Sequence, residues 1–453
     1  MKKRMIAVTL LGTMILGSLS GCGGGGTAQS GDKGEKQNSQ NQSEEAAKED
    51  VTIDIYQYKV ETVSALEKAI AMYEEENPHV TINLETVGGG GNYKETLKVK
   101  MQSSKKPDIF NVDGPQDVKD YEMMLEDMSD QPWVEHAVEG ALDVVSKDGK
   151  VYGLPYSLEG YGFIYNKRIF EKAGIDADSL NTYDALEKAV KDLDERIKAG
   201  EFQDDFPLLE AAFEYPAKEF WVIGEHTANL PMIPELEDPM TALNAKEIEL
   251  TYTDAFKKLI DIQTLYSASG DDRSKLCAVD YATQVGGGLA IERVAMIQQG
   301  NWISPEVTNV DAELLEDLGM LPIPVAGYKE DCITSGVPSY WAINSESDDN
   351  VKAESKKFLD WLYQSEDGKK LIIDDFMFIP PFTNYEGIEP QDALSKEVKK
   401  YTDAGKTMPW VLRGFPSDWG TNVAGSVQKY LSDEITWEQV TEEAKEAWKE
   451  ARK

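Results

Sequence analysis

The side chains best suited to chemistry in this chain are two isolated carboxylates among many aromatic rings. Asp113 follows an apolar run at 107–112, and Glu159 lies in a segment rich in glycine and tyrosine. Two carboxylates can act as the acid and base of glycoside hydrolysis, but only at a defined separation, which the sequence does not set. The sequence contains no G-x-S-x-G elbow, no H-E-x-x-H pair and no clustered Cys/His spacing, which excludes the hydrolases and zinc sites that those motifs mark.

Residues 148–170 hold a dense group of the aromatic rings. Rings from Tyr152 to Tyr165 are interrupted by Gly153, Gly160 and Gly162, and residues 163–165 have the composition of a β-strand. A strand with this much glycine usually passes close to another backbone or to a ligand. Core packing explains the segment when it is taken alone, so a binding role for it depends on the rest of the chain.

Regular elements precede Asp113 and position it. The pattern predicts a strand at 51–58, a helix at 63–76, a strand at 80–87, a helix at 93–103 and a strand at 107–112. This order predicts an α/β domain with a parallel sheet, in which ligands bind beyond the carboxyl ends of the strands. Tyr58, the glycine loop at 88–91 and Asp113 lie at those ends. The loop lacks a Gly-Lys-Ser/Thr ending, so we interpret it as the edge of a cleft rather than a phosphate site.

The N-terminal end predicts the compartment of the protein. Lys2, Lys3 and Arg4 precede a short apolar run that ends in L-S-G-C at 19–22. This order resembles the lipobox of bacterial lipoproteins, so residues 1–22 are predicted to be a lipoprotein signal peptide and Cys22 the acylated residue. Lipid chains on Cys22 would hold the protein at the outer face of the cytoplasmic membrane. Residues 23–50 have almost no large apolar side chains and are predicted to be a disordered tether.

Composition limits the classes of protein and partner. The apolar fraction of 41% fits a globular protein, and the net charge of −36 argues against nucleic acid as a partner. Cys277 and Cys332 follow Cys22, and the sequence leaves open whether they form a disulfide or remain free thiols. The three histidines are far apart, so no metal site and no cofactor are predicted.

A series of short motifs carries a family resemblance. The motifs are P-D-I-F at 107–110, G-K-V-Y-G-L-P-Y at 149–156, I-Y-N-K at 164–167, A-M-I-Q-Q-G-N-W at 295–302, L-P-I-P at 321–324 and A-I-N-S-E-S at 342–347. In this order, over residues 51–453, they resemble the extracellular solute-binding proteins of carbohydrate ABC importers, the maltose-binding-protein-like family. The resemblance implies a monomeric binding protein without enzymatic activity, which delivers its ligand to an ABC permease.

The resemblance also implies a two-lobe α/β fold of the periplasmic-binding-protein type, with a hinge and a ligand cleft between the lobes. The chain would cross between the lobes near 156–160, near 336–343 and again in the C-terminal third. The implied segments are an N-lobe at 51–156, a C-lobe at 157–341, a return to the N-lobe at 342–400 and terminal C-lobe helices at 401–453.

Sugars present C–H faces and hydroxyl edges, so the implied site needs flat rings beside carboxylates, amides and arginine. The implied ligand-binding residues are Tyr58, Asp113, Glu159, Tyr161, Trp221, Asn301, Trp302, Trp341, Trp410, Arg413 and Trp419. For each ring the alternative is a place in the core. The number of rings suggests an oligosaccharide of two or more units, and a general likeness around 220–229 suggests raffinose-type α-galactosides.

Two other functions remain open from the sequence. One is a surface glycoside hydrolase that uses Asp113 and Glu159, and the other is an anchored glycan-binding adhesin without a transporter. We expect replacement of Glu159 by alanine to weaken sugar binding without unfolding the protein.

Overall fold

The strand and helix patterns of the first 60 residues after the tether fold as the sequence predicts. The computed structural model describes residues 49–88, 92–385 and 387–453, so the predicted signal peptide, Cys22 and residues 23–48 of the tether lie outside the described residues. The strands are β1 Val51–Gln57, β2 Val80–Thr86, β3 Ile109–Val112, β4 Ser146–Lys147, β5 Lys150–Val151, β6 Leu154–Pro155, β7 Glu159–Asn166, β8 Ala211–Glu214, β9 Val294–Gly300, β10 Leu318–Leu321, β11 Ile333–Gly336, β12 Tyr340–Ile343 and β13 Thr407–Met408.

Helices connect and cover these strands. They are α1 Val63–Glu76, α2 Tyr93–Met101, α3 Pro115–Tyr121, α4 Lys167–Ala173, α5 Tyr183–Lys198, α6 Ala228–Leu236, α7 Pro239–Asn244, α8 Thr253–Leu265, α9 Tyr281–Val285, α10 Ser304–Val310, α11 Asp349–Gln364, α12 Glu366–Asp374, α13 Ala393–Asp403, α14 Trp419–Leu431 and α15 Trp437–Ala451. A π-helix at Val222–Thr227 directly precedes α6. Within the described residues, no helix is both long enough and apolar enough to span a bilayer.

The N-lobe is built on a five-stranded sheet with the order β2-β1-β3-β12-β6. Strand β1 pairs in parallel with β2 and β3, whereas β12 runs antiparallel to β3 and β6. The parallel strands alternate with α1 and α2, so their carboxyl ends meet at one edge of the sheet. Tyr58 and Asp113, the residues that follow β1 and β3, therefore lie at the same edge.

The C-lobe is built on a sheet with the order β13-β11-β7-β9-β8, and β10 also pairs with β7. Strand β7, from the glycine-rich segment 148–170, runs antiparallel to β9, β10 and β11. Its residues from Glu159 to Ile164 are all buried, which fits a central strand covered on both faces. The predicted α/β two-lobe fold is confirmed.

The chain passes between the two sheets in short segments. Residues 156–158 join β6 of the N-lobe to β7 of the C-lobe, and residues 337–339 join β11 to β12 in the opposite direction. The chain passes from the N-lobe core at Tyr385 to the C-lobe core at Leu394. Since short crossing segments leave few contacts to resist rotation, they are the hinge of this fold.

Two details differ from the expected lobe segments. Trp341, expected at the end of the C-lobe, lies in β12 of the N-lobe sheet, because β12 pairs with β3. Residues 393–400, expected in the N-lobe, belong to α13, whose Leu394 and Val398 are buried in the C-lobe core. Helix α13 packs on the C-lobe through its apolar face. The spacing of apolar residues predicts that such a face is buried, but it does not predict which of two cores buries it.

The two cysteines of the described residues, Cys277 and Cys332, are both free thiols.

Candidate functional site

A cavity of about 340 Å³ lies between the two lobes. Its N-lobe side is formed by residues that follow β1 and β3, with Tyr93 and Lys94 from the start of α2. Its C-lobe side is formed by the π-helix and the residue before it, the start of α9, Trp302 after β9 and the segment 410–413. A volume of this order is typical of a site for a small organic ligand.

Aromatic rings form the C-lobe wall of the cavity. The rings of Trp221 and His226 have centroids 5.1 Å apart, and His226 lies 5.2 Å from Trp302 and 5.7 Å from Trp410. Behind them, Tyr161 stacks on His226 at 4.5 Å with an interplanar angle of 9°. Flat rings arranged in this way offer apolar faces to the C–H face of a ligand.

Burial, with Arg413 and Lys59 nearby, holds the pKa of His226 well below its usual value. The imidazole is therefore neutral near pH 7 and serves as one more flat ring rather than as a cation. The backbone carbonyl of His226 accepts a hydrogen bond of 2.8 Å from the Tyr161 hydroxyl, and this bond holds the two stacked rings together.

Two glycines allow the aromatic wall to form. The π-helix brings Gly224 against α14, where an added Cβ would lie 1.8 Å from the carbonyl oxygen of Gly420. At Gly300 an added Cβ would lie 2.1 Å from the ring of Trp302, so the ring folds back over the end of β9. Any larger residue at either position would displace the wall. π-Helical turns occur often at functional sites, as this one does.

An ion pair forms the cavity floor beside the first crossing segment. Lys59 Nζ donates to Glu159 Oε1 at 2.8 Å and to Oε2 at 3.0 Å, and lies 3.4 Å from Glu61 Oε1. Burial disfavours the charged form of Lys59, but Glu159 and Glu61 outweigh it and raise the pKa of the amine. Lys59 also lies 5.5 Å from the ring centroid of Trp302. The floor is thus charged, buried and held rigidly.

A second charged group surrounds Asp113 at the other end of the cavity. Its carboxylate accepts from the Tyr58 hydroxyl at 3.0 Å and lies 3.4 Å from both Lys94 Nζ and Arg413 Nη1. Burial opposes ionisation of Asp113, but Lys94 and Arg413 lower its pKa below the usual value. Asp113 is therefore an ionised acceptor that connects the N-lobe to Arg413 of the C-lobe. The side chain of Asn92 caps α2, accepting from the Glu95 N–H, and so orients Lys94.

Seven of the eleven sequence-predicted site residues line the cavity, namely Tyr58, Asp113, Glu159, Trp221, Trp302, Trp410 and Arg413. Tyr161 and Asn301 lie directly behind the wall. Tyr161 supports His226, and Asn301 accepts from the Gly160 N–H at 3.0 Å and donates to Ser395 at 3.1 Å. Both residues therefore support the wall of the cavity and do not line it.

Trp341 and Trp419 are placed away from the cavity, so we leave them out of the site. Trp341 packs in the N-lobe core 4.9 Å from the ring of Tyr156. Trp419 begins α14, packs 5.2 Å from the ring of Trp448, and donates its Nε1–H to Ala444 O. Both rings therefore pack in a hydrophobic core, which was the alternative to ligand binding that the sequence left open for each ring.

Sequence reasoning missed several charged and aromatic residues of the cavity. Two of them could have been found from the sequence. Lys59 is next to the end of the first predicted strand, and Lys94 follows the glycine loop at the sheet edge. The others carry no comparable local signal, and they include Glu61, Glu219, Glu225, His226, Asp280, Tyr281 and Glu306.

Hydrogen bonds also join the lobes outside the crossing segments. Arg452, at the end of α15, donates to Gln116 Oε1 of α3 at 2.6 Å and to two C-lobe carbonyls. Ser417 donates to Asp120 Oδ2 at 2.7 Å. We call Gln116, Asp120, Ser417 and Arg452 the rim contacts, and we call the arrangement of the lobes in which these contacts are made the closed form.

The double variant Gln116→Ala/Asp120→Ala is expected to bind ligand about fivefold more weakly, because the closed form loses about 1 kcal/mol of hydrogen bonding. The radius of gyration of the ligand-free protein in small-angle X-ray scattering should rise as the open form is populated. Gln428→Ala is the matched control, since Gln428 donates at 2.7 Å to Ala217 O within the C-lobe. Unchanged affinity in the double variant would show that the rim contacts do not stabilise the closed form.

Comparison with known proteins agrees with this geometry. A family model described as "Bacterial extracellular solute-binding protein" matches residues 58–369. The chain is 22% identical to the melibiose/raffinose/stachyose-binding protein MelE of Bacillus subtilis strain 168, over 81% of this chain and 82% of that protein.

Solved structures show the same fold. A chitin oligosaccharide binding protein superposes with a TM-score of 0.72 at 22% identity, over 89% of this chain and 99% of that one. The solute-binding protein RafE in complex with raffinose superposes with a TM-score of 0.69 at 18% identity, over 89% of this chain and all of the other (100%). The family expected from the short motifs is confirmed: this chain belongs to the bacterial extracellular solute-binding proteins, which are binding proteins and not enzymes.

Proposed function

We propose that this protein captures an oligosaccharide between its lobes and delivers it to the permease of an ABC importer. The observation that carries the proposal is the cavity, in which Trp221, Trp302 and Trp410 face charged side chains at Lys59 and Asp113. Rings match the C–H faces of sugar units, and fixed charged groups match their hydroxyls. Rings also lie on the N-lobe side, which supports a ligand of two or more units.

The solute-binding relatives support a sugar as ligand. MelE is a melibiose/raffinose/stachyose-binding protein, RafE was solved in complex with raffinose, and the superposed chitin oligosaccharide binding protein also takes a sugar. We therefore place neutral oligosaccharides, with raffinose-type α-galactosides among them, first in the set to be tested.

Hydrolysis by Asp113 and Glu159 is not supported by their contacts. A glycosidase acid must hold a proton near neutral pH, whereas Lys94 and Arg413 lower the pKa of Asp113. Glu159 is held by two hydrogen bonds from Lys59 and so is occupied as a structural partner. The family assignment leads to the same conclusion.

We propose further that the protein acts as a monomer, anchored at the outer face of the cytoplasmic membrane by lipid on Cys22. The lipobox-like order of residues 1–22 and the polar tether at 23–50 support the anchor. A tether of that length would let the body reach a permease in the same membrane.

The proposal is tested with purified residues 49–453 and a panel of oligosaccharides in a thermal-shift assay. Raffinose, stachyose, maltotriose, cellotriose and chitotriose are the probes, and the midpoint should rise by several degrees with the cognate sugar. Calorimetry should then give one-to-one binding, and chromatography of the mixture should show intact sugar. Release of shorter sugars would reject a binding protein in favour of a hydrolase, and failure of every glycan to bind would favour an adhesin or another ligand.

A further inference from the structure

One end of the cavity, around Tyr281, is crowded with carboxylates. Four glutamates line the cavity there, namely Glu61, Glu159, Glu219 and Glu306, and a fifth acidic residue, Asp280, is paired with Lys218 at 3.1 Å. Burial and, after it, these same four carboxylates raise the pKa of the Tyr281 hydroxyl well above its usual value. That hydroxyl is buried, and it has no hydrogen-bond partner among the described residues. An unpartnered buried hydroxyl at a cavity wall indicates a polar ligand group at this point.

Among the described residues, Lys59 is the cation that lines the cavity at this end, and Lys218 neutralises Asp280 from outside the lining at 3.1 Å. Lys59 lies 2.8 Å from Glu159 and 3.4 Å from Glu61, so its charge is shared between those two carboxylates. The other cations of the cavity, Lys94 and Arg413, lie beside Asp113 at the opposite end. With Asp280 and Lys218 included, five carboxylates thus stand against two ammonium groups.

Glu219 and Glu306 are not paired with any cation among the described residues. Glu219 accepts from the Tyr281 backbone N–H at 3.0 Å and from Trp221 Nε1 at 3.1 Å, so neutral donors hold it in place. Glu306 stands in the first turn of α10 and also faces the cavity. The negative charge of these two side chains is therefore directed at whatever occupies this end.

We propose that this end of the cavity sets the charge of the sugars that the protein accepts, an inference that rests on the proposed function. Neutral and amino sugar units bind here, and uronic acid units are rejected. An ionised carboxylate only accepts hydrogen bonds, so it suits a sugar hydroxyl or an ammonium group, which donate. A uronate brings a further acceptor and a like charge into a site shielded from water, where repulsion is strong.

The test uses the same five sugars as the thermal-shift panel, each in three forms that differ at the primary hydroxyl groups. The forms are the neutral sugar, the sugar with those groups oxidised to carboxylates, and the sugar with amines in their place. By calorimetry, the amino form should bind within about fivefold of the neutral form or more tightly. The oxidised form should bind at least about tenfold more weakly, as expected from like charges about 8 Å apart.

The double variant Glu61→Gln/Glu306→Gln assigns the discrimination to these side chains. It removes two charges while it keeps the side-chain shape and the pair between Lys59 and Glu159. The ratio of neutral to oxidised affinity should fall at least about fivefold in this variant. Glu171→Gln on α4, an exposed residue outside the cavity, is the control for overall charge and should leave the ratio unchanged.

The outcomes separate this inference from the proposed function. An oxidised sugar that binds as tightly as its neutral form overturns the inference and leaves sugar binding intact. A ratio that stays the same in the double variant also overturns it, because size rather than charge would then cause the rejection. If no form of any of these five sugars binds, the proposed function fails and the inference fails with it.

Discussion

Glu159→Ala is expected to lower the free energy of unfolding by about 3 kcal/mol, because it leaves the ammonium group of Lys59 buried without its main partner. Glu159 is 2% exposed and makes both close contacts to Lys59, at 2.8 and 3.0 Å. Glu61, at 3.4 Å, retains part of the compensation, which keeps the loss at the lower end of the range for a broken buried pair. Urea denaturation of the ligand-free protein measures the change.

This result differs from the expectation from sequence, in which Glu159→Ala weakened binding alone. Affinity should fall as well, because an unpaired Lys59 would shift within the cavity floor. Two controls separate the causes: Glu159→Gln keeps an acceptor for Lys59 and should cost less, and Lys59→Met/Glu61→Gln/Glu159→Leu removes all three charges of the group and should be close to neutral in stability. A loss below about 1 kcal/mol in Glu159→Ala would show that the pair is not formed in solution.

Local pattern was sufficient for the N-lobe strands and for the residues at their ends. Strand β2 alternates along its length and β1 alternates over its first half, and strands joined by helices pair in parallel here, which brings Tyr58 and Asp113 to one edge. This part of the site follows from chain connectivity and needs no knowledge of distant contacts. The same reasoning extends one residue further to Lys59.

The aromatic residues show where local pattern fails. Trp341 and Trp302 both lie in segments rich in glycine, but β12 is a central strand covered on both faces, whereas Trp302 follows the end of β9. Trp419 is buried by Trp448, 29 positions later, a contact that no spacing rule predicts. Whether a ring faces a ligand or a core depends on such distant packing.

The π-helix explains why Glu225 and His226 were missed. Residues 222–236 contain Gly224, Pro231 and Pro234, a composition that argues against a continuous helix. The π-helix and α6 form nevertheless, since tertiary contacts with α14 and burial in the C-lobe core outweigh propensity. A wider helical turn also changes which side chains face inward, so the ordinary helical spacing would have assigned the wrong ones.

Trp302→Ala is expected to weaken oligosaccharide binding by about 30- to 150-fold, or about 2–3 kcal/mol, the largest effect on affinity of any single ring. Trp302 stands between the ring of His226 at 5.2 Å and the ammonium group of Lys59 at 5.5 Å, so it joins the aromatic wall to the charged floor. Its Nε1–H donates to Gln299 at 2.9 Å, which fixes the plane of the ring. Calorimetry with the cognate sugar measures the loss.

Loss of Trp302 also removes buried apolar surface, so affinity must be separated from stability. Trp302→Phe keeps a flat ring over the cavity and should recover most of the affinity, whereas Trp302→Leu restores volume without a ring and should not. Trp361→Ala, on α11 in the N-lobe and packed 5.4 Å from the ring of Tyr73, is the matched control and should lower stability with unchanged affinity. If Trp302→Leu binds as tightly as the unmodified protein, the ring only fills the core, and sugar stacking must be assigned to Trp221 or Trp410 instead. Because those two rings line the same wall, the same pair of Phe and Leu substitutions at each would then identify which of them carries the contact.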